Sequence, residues 1–199
     1  MDDSSTDGRL EVRLLAEIAA GVEQAFVDLY RRRHHDVYRF AFAMARSRSF
    51  AQDVTQEVFL NVLENAARFD AAKGSVRAWL FGCARYVVLD RLRLERRWTG
   101  DVPDEGADID ADERLQTDQR IERLHAVLAT LSPEYREALV LCELEELSYA
   151  EAALVLECPI GTVRSRLHRG RALLAAKLEQ EPGAAVELTA PLPAGELCS

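Results

Sequence analysis

Cysteine is scarce and scattered in this chain. Cys83, Cys142, Cys158 and Cys198 form no CxxC pair and no cluster. That spacing argues against a zinc module and against a disulfide framework, and reduced thiols are the expectation. No apolar run reaches the ~18–20 residues of a membrane span, so membrane insertion is not expected. The first residues, MDDSSTDGRLEVR, are acidic and lack an apolar stretch, so a secretory signal is not expected, and the reduced thiols fit an expected place in the cytoplasm. Histidine is limited to His34, His35, His125 and His168, without an HExxH or triad pattern. Glycines form no phosphate loop. An enzyme, a metal site and a bound cofactor are therefore not expected. Strand alternation is absent too, and the six prolines sit at element ends or near the C-terminus.

What remains is a chain that is 48% hydrophobic and 30% charged, enough for a packed core in one or two domains. Its net charge of −9 is unevenly spread. Residues 22–98 carry +5, whereas residues 99–120 carry −6 and 121–181 carry −3. Basic surfaces are local and flanked by acid. Affinity of the isolated chain for duplex DNA, which rests on phosphate neutralisation, should be weak.

Helical periodicity runs through almost every patterned stretch, so the expected fold is all-α. Residues 1–21 read as an N-terminal segment with a short helix around Leu14, Leu15 and Ile18, ending at Gly21. Residues 22–98 form a helical domain, with helices near 23–46, 50–66 and 75–97. Thr99–Asp112 holds Gly100, Pro103, Gly106 and five Asp, and 99–120 reads as a flexible acidic linker. Residues 121–181 form a second helical domain. In it Ile121, Leu124, Leu128 and Leu131 share a face, and Ser132-Pro133 opens a helix carrying Tyr135, Ala138, Leu139 and Cys142. Residues 182–199, rich in Pro, Ala and Gly, read as a disordered tail.

The most informative window is 147–174, LSYAEAALVLECPIGTVRSRLHRGRALL. Ser148-x-x-Glu151 is a capping box, and Cys158-Pro159 ends one helix where Pro159 suits the start of the next. On the second helix Val163, Leu167, Gly170 and Leu174 form a buried face. Thr162, Arg164, Ser165, Arg166, His168, Arg169 and Arg171 make up its polar remainder. From Ile160 to Lys177 there are five Arg or Lys and no acid. Such a helix is equipped to enter the major groove. The plain alternative is a helical hairpin with a solvated basic face.

Residues 50–97 hold a second distinctive pattern. Val54, Val58, Phe59, Val62 and Leu63 are expected to face the core. Asp53, Gln56, Glu57, Leu60 and Glu64 share another stripe, and a leucine among acids and amides suits a protein contact. The competing reading is a solvated stripe with one stray leucine. Beyond it, Gly74 is expected to take a positive φ and Ser75 to cap the next helix. That helix presents Arg77, Arg85, Arg91, Arg93, Arg96 and Arg97, interleaved with Trp79 and Tyr86. Arginines with aromatics suit single-stranded nucleic acid, because bases stack on rings while guanidinium groups hold phosphate. For Trp79 and Phe81 core packing is the favoured reading.

With both segments in view, the chain resembles bacterial sigma-70 family factors of the extracytoplasmic function (ECF) group over residues 22–178. DVTQEVFL (53–60) is similar to region 2.2, and RFDAAKGSVRAWLFGCARYVVLDRLR (68–93) to regions 2.3 and 2.4. Residues 131–174 resemble region 4. The resemblance implies a region 2 bundle and a region 4 helix-turn-helix joined by the acidic linker. It implies contact with core RNA polymerase through Asp53, Gln56, Glu57 and Leu60 on the β′ clamp helices, with region 4 on the β flap. It implies −10 promoter contacts from Lys73, Ser75, Arg77, Arg85, Tyr86, Arg93, Arg96 and Arg97. Contacts to −35 would come from Thr162, Arg164, Ser165, Arg166, His168, Arg169 and Arg171. An anti-sigma factor is a possible further partner in that group. The chain departs from the family pattern at Tyr86, often Asn, and at Glu157, usually Gly. A stand-alone helix-turn-helix regulator is the alternative function.

Overall fold

A computed structural model describes residues 3–99 and 119–180. The central part of the acidic linker and the 182–199 tail lie outside the described residues. So do the side chains of Arg96 and Arg97.

Within the described residues every regular element is helical. The first domain contains α1 (Asp3–Ala19), α2 (Glu23–Ala45), α3 (Arg48–Asn65) and α4 (Val76–Thr99), with a 3₁₀ turn at Ala66–Arg68. The second contains α5 (Gln119–Ala129), α6 (Pro133–Leu139), α7 (Tyr149–Val155) and α8 (Ile160–Gln180). The N-terminal helix is longer than its apolar residues alone suggest. Asp7 and Glu11 extend it along α2, where both bind Arg33.

The helix ends follow from local chemistry. Ser47 caps α3 by accepting from Phe50 N at 3.2 Å. Ser75 caps α4 by accepting from Ala78 N at 3.1 Å. Ser148 and Glu151 exchange both bonds of the capping box at the start of α7. Ser132 precedes α6 as expected, yet its side chain makes no cap bond, and Pro133 supplies the fixed φ instead. The helix that starts there does not continue as regular α-helix. It widens into a π turn at Val140–Leu144, where Glu145 N reaches back to Val140 O at 2.9 Å.

Two helix ends use the same wound-back pair of bonds. After α1, Val22 N bonds Glu17 O and Gly21 N bonds Ile18 O, with Gly21 at φ +84°. After α7, Cys158 N bonds Ala153 O and Glu157 N bonds Leu154 O, with Glu157 at φ +51°. Glycine takes that conformation freely; glutamate does so under strain.

The buried side chains of both domains form one contiguous core. Phe40 and Phe81 meet edge to face at its centre, 5.7 Å apart. Phe81 is thus a core residue, whereas Trp79 is half-buried and sits edge-on to Phe69 at 5.7 Å. In the second domain Val163 and Leu167 are fully buried. Gly170 lies where a Cβ would come within 3.1 Å of Leu139, so α8 packs tightly on α6. Arg136 joins the two domains. Its guanidinium donates to the carbonyls of Leu128, Ala129 and Leu131 in one and of Met44 in the other.

Candidate nucleic-acid and protein interfaces

The buried face of α3 consists of Val54, Val58, Phe59 and Val62. A helical period therefore turns Asp53, Gln56, Glu57, Leu60 and Glu64 outward, and all five are exposed, Leu60 by 52%. Leu63 belongs on this outward side as well. It is 47% exposed, so its expected place in the core is corrected. Its register puts it a quarter-turn beyond Val62, past the edge of the packed stripe. The two acids are not isolated charges. Arg91 of α4 crosses to Glu57 at 2.7 Å and to Asp53 at 3.3 Å. The sequence pattern of α4 sets Arg91 among the nucleic-acid arginines, and only the packing of α4 on α3 shows its pairing with these acids. Beside the stripe lies an open groove of about 630 Å³. Phe26, Tyr30, Tyr38, Phe59 and Leu60 supply its apolar lining. His34 stacks on Tyr30 at 4.7 Å, and His35 is exposed.

The basic helix α4 borders a larger open cavity of about 830 Å³. Lys73, Ser75, Arg85, Tyr86 and Arg93 all line it, together with Phe69 and Trp79. Tyr86 is 70% exposed, with its ring free to stack. Arg77 is not part of this lining. It turns toward Asp36 and Glu145, at 3.7 and 3.5 Å, and passes over the ring of Phe81. Gly74 does not adopt a positive φ, which corrects that expectation. A Cβ there would come within 3.2 Å of Leu154 in the second domain, so close approach is its local constraint.

The second domain meets the first with three glutamates, two of them on residues that line the cavity and one beside it. Glu137 takes Arg85 at 3.1 Å. Glu145, 1% exposed, takes Arg39 at 2.8 Å and Arg77 at 3.5 Å. Glu151 accepts the Ser75 hydroxyl at 2.6 Å. Burial pushes the Glu145 carboxyl above the usual carboxylate range, more than the Arg39 bond and charge lower it. Burial also acts upward on Glu151. There the bonds from Ser75 and from the Ser148 hydroxyl and amide prevail, and its carboxyl is held below that range.

On α8, Arg164, Ser165, His168, Arg169 and Arg171 are exposed, opposite Val163 and Leu167. Thr162 and Arg166 are half-buried at the edges of this face. Arg166 lies 3.9 Å from the Cys158 sulfur. Arg164 passes over the Tyr149 ring at 5.9 Å, and Arg171 is paired with Glu143. Tyr149 and Glu143 thus hold two of the arginines, which the helical pattern of α8 alone does not reveal.

Comparison with known proteins decides what these faces belong to. Residues 29–98 match the family model for Sigma-70 region 2, and residues 121–174 match that for Sigma-70, region 4. The chain is 35% identical over 184 residues to the probable RNA polymerase sigma-C factor of Mycobacterium bovis. That match covers 91% of this chain and 98% of the relative. The chain is an ECF-type sigma factor of the sigma-70 family. As such it works with core RNA polymerase on promoter DNA in transcription initiation. Among solved structures it resembles CnrH, in complex with the cytosolic domain of CnrY, at a TM-score of 0.67 and 26% identity. That match spans 85% of this chain and 97% of CnrH. The sigma factor RpoE of Bartonella quintana, in complex with the anti-sigma factor NepR, shares the fold at a TM-score of 0.68 and 24% identity, over 78% of this chain and 98% of RpoE.

The first domain is therefore the region 2 bundle and the second the region 4 helix-turn-helix. Cys83, Cys142 and Cys158 are free, half-buried thiols packed against the core. Burial pushes Cys83 and Cys142 up to about 11. Among the described residues no helix is long and apolar enough to cross a membrane, and no group of three or more ligands could hold a metal ion.

Proposed function

We propose that the three outward faces divide the work of promoter recognition between them. Asp53, Gln56, Glu57 and Leu60 dock region 2 on the β′ clamp helices. Lys73, Ser75, Arg77, Arg85, Tyr86, Arg93, Arg96 and Arg97 hold the −10 strand. Thr162, Arg164, Ser165, Arg166, His168, Arg169 and Arg171 read the −35 duplex while region 4 rests on the β flap. The observation that carries the reading is the cavity beside α4. It combines an exposed tyrosine, a half-buried tryptophan and basic side chains in one concave surface. Extruding a base from the duplex costs a few kcal/mol. Stacking on an aromatic returns about 1–3 kcal/mol per base, and arginine adds phosphate contacts. On α8, an arginine bidentate to guanine would contribute about 1–3 kcal/mol of discrimination.

The division of the chain follows the same reading. Residues 1–21 lead into region 2 at 22–98, residues 99–120 link it to region 4 at 121–181, and 182–199 form a tail. The chain brings no catalytic residue; the polymerase supplies the chemistry, and the cytoplasm is where the two meet. An anti-sigma factor completes the set of partners, supported by the complexes in which CnrH and RpoE were solved. A stand-alone regulator is not favoured, because both sigma regions occur in order on one chain. Photocrosslinking in a reconstituted open complex tests the assignment. A crosslinkable residue at 86 should label the non-template strand near −10, and one at 168 should label the −35 duplex. Labelling of neither element would reject it.

A further inference from the structure

The basic face of α8 is not uniform, because side chains from outside the helix hold part of it. Arg164 and Arg171 lie two turns apart along one edge of α8. Arg164 passes over the Tyr149 ring, 5.9 Å from its centroid, and the Tyr149 hydroxyl lies beside Arg171. Glu143 of the π turn takes the Arg171 charge. Arg169 is also exposed, but among the described residues no ring or carboxylate holds it. We infer that Tyr149, on α7 rather than on the reading helix, positions Arg164 and thereby sets how sharply one base pair of the −35 element is discriminated. The inference rests on the −35 assignment above and deepens it with a residue which that assignment leaves out.

Reading guanine through two guanidinium nitrogens requires the planar fork to lie along the base edge. A free arginine on a helix surface samples many rotamers, and fixing one of them at the groove costs binding energy. An aromatic face that holds the guanidinium beforehand removes part of that cost. Tyr149 is built for this role. It is the first residue of α7, directly after Ser148, and the capping box of Ser148 and Glu151 fixes that helix end. Its ring is 38% exposed, open to Arg164 rather than packed in the core. Arg164 falls in the second turn of α8, and a recognition helix reaches base edges with its N-terminal residues. Arg171 stands two turns farther on. The two arginines are held differently. A neutral ring leaves the Arg164 charge available to DNA, whereas Glu143 offsets the charge of Arg171. The contact that Tyr149 prepares is thus the one at the reading end of the helix.

The test uses holoenzyme, the full chain with core polymerase, on one promoter that it transcribes. Each −35 base pair is substituted in turn, and affinity for each fluorescein-labelled duplex is read by anisotropy. Wild type should lose about tenfold in affinity at the pair that Arg164 reads. R164A should abolish most of that ratio and leave the ratios at the other pairs unchanged. Y149L, without the ring, should lower the same ratio about threefold, at that pair alone. Y149F, which keeps the ring, should discriminate as wild type does, and Y149L with R164A should discriminate no worse than R164A. A second measurement needs no variant and stands even if Y149L unfolds the chain. NMR relaxation of the arginine Nε–H groups in the free wild-type chain should show Arg164 more ordered than Arg169. Y149L that keeps the full ratio, or that weakens every duplex equally as loss of a phosphate contact would, overturns the inference. So does an Arg164 side chain as mobile as that of Arg169. R164A with undiminished ratios at every pair would instead reject the −35 role of Arg164 itself, and the inference falls with it.

Discussion

Glu145 and Arg39 lie 106 residues apart in sequence and 2.8 Å apart in space. Arg39 belongs to α2 of region 2, and Glu145 closes the π turn of region 4. Arg77 shares the carboxylate, and Asp36 bridges both arginines. The Asp36 carboxylate also takes Arg33, which is held from α1 by Asp7 and Glu11. A continuous chain of ion pairs therefore runs from the N-terminal helix to the second domain.

Glu145 and Glu151 should respond to pH with opposite sign. The Glu151 carboxyl is held below the ordinary value of 4.5, so its contribution is present above pH ~4.5 and is lost as pH falls through its folded value. The Glu145 carboxyl is raised. Its proton-linked contribution is present below the ordinary value and is lost as pH rises through the folded one. Thermal melts of E151Q and E145Q between pH 4 and 7 check this. The deficit of E151Q relative to wild type should shrink toward the acid end. The stability of E145Q relative to wild type should instead improve as pH rises.

Charge reversal on α3 should stop polymerase binding without unfolding the helix. Asp53→Arg with Glu57→Arg removes the pairing with Arg91, but exposed pairs are worth only about 0–1 kcal/mol. Circular dichroism should be unchanged, while pull-down of core polymerase should be lost. Retained pull-down would remove these acids from the docking surface.

The two faces of α8 should separate function from stability. Arg169 is exposed, and Arg169→Ala should shift stability by no more than about 0.5 kcal/mol while lowering transcription from −35-dependent promoters. Val163 is fully buried, and Val163→Ala should cost about 2 kcal/mol in denaturant unfolding. The reverse pattern would mean that the buried and reading faces are exchanged.

Glu157→Gly should stabilise the chain. Glu157 sits at φ +51° in the position that Gly21 fills after α1. A side chain there costs roughly 1–2 kcal/mol, and the extra freedom of glycine in the unfolded chain offsets part of that. A rise of about 0.5–1 kcal/mol in unfolding free energy is the expected net. A loss of stability would show that Glu157 makes a compensating contact.

Much of this fold was legible because its helix ends carry their own chemistry. The caps at Ser75 and Ser148 and the Pro159 break placed α4, α7 and α8 closely. The acidic stripe on α3 and the basic face of α8 followed from a helical period, which puts buried and exposed residues on opposite sides. Leu63 escaped because a residue at the margin of a stripe is decided by the neighbour it meets. The π turn escaped because widening by one residue leaves no mark in composition. Gly74 was misread because close approach to Leu154 and a positive φ both select glycine. The roles of Glu137, Glu145 and Arg91 depend on which helices pack together, and periodicity holds no record of that.

Run-off transcription tests the central claim most directly. Purified chain would be added to core RNA polymerase on a pool of genomic promoter fragments from the source organism, with the D53R/E57R variant in parallel. The account predicts a defined set of transcripts that requires the wild-type chain and disappears with the variant. Transcripts that do not depend on the chain, or that the variant supports equally, would contradict it.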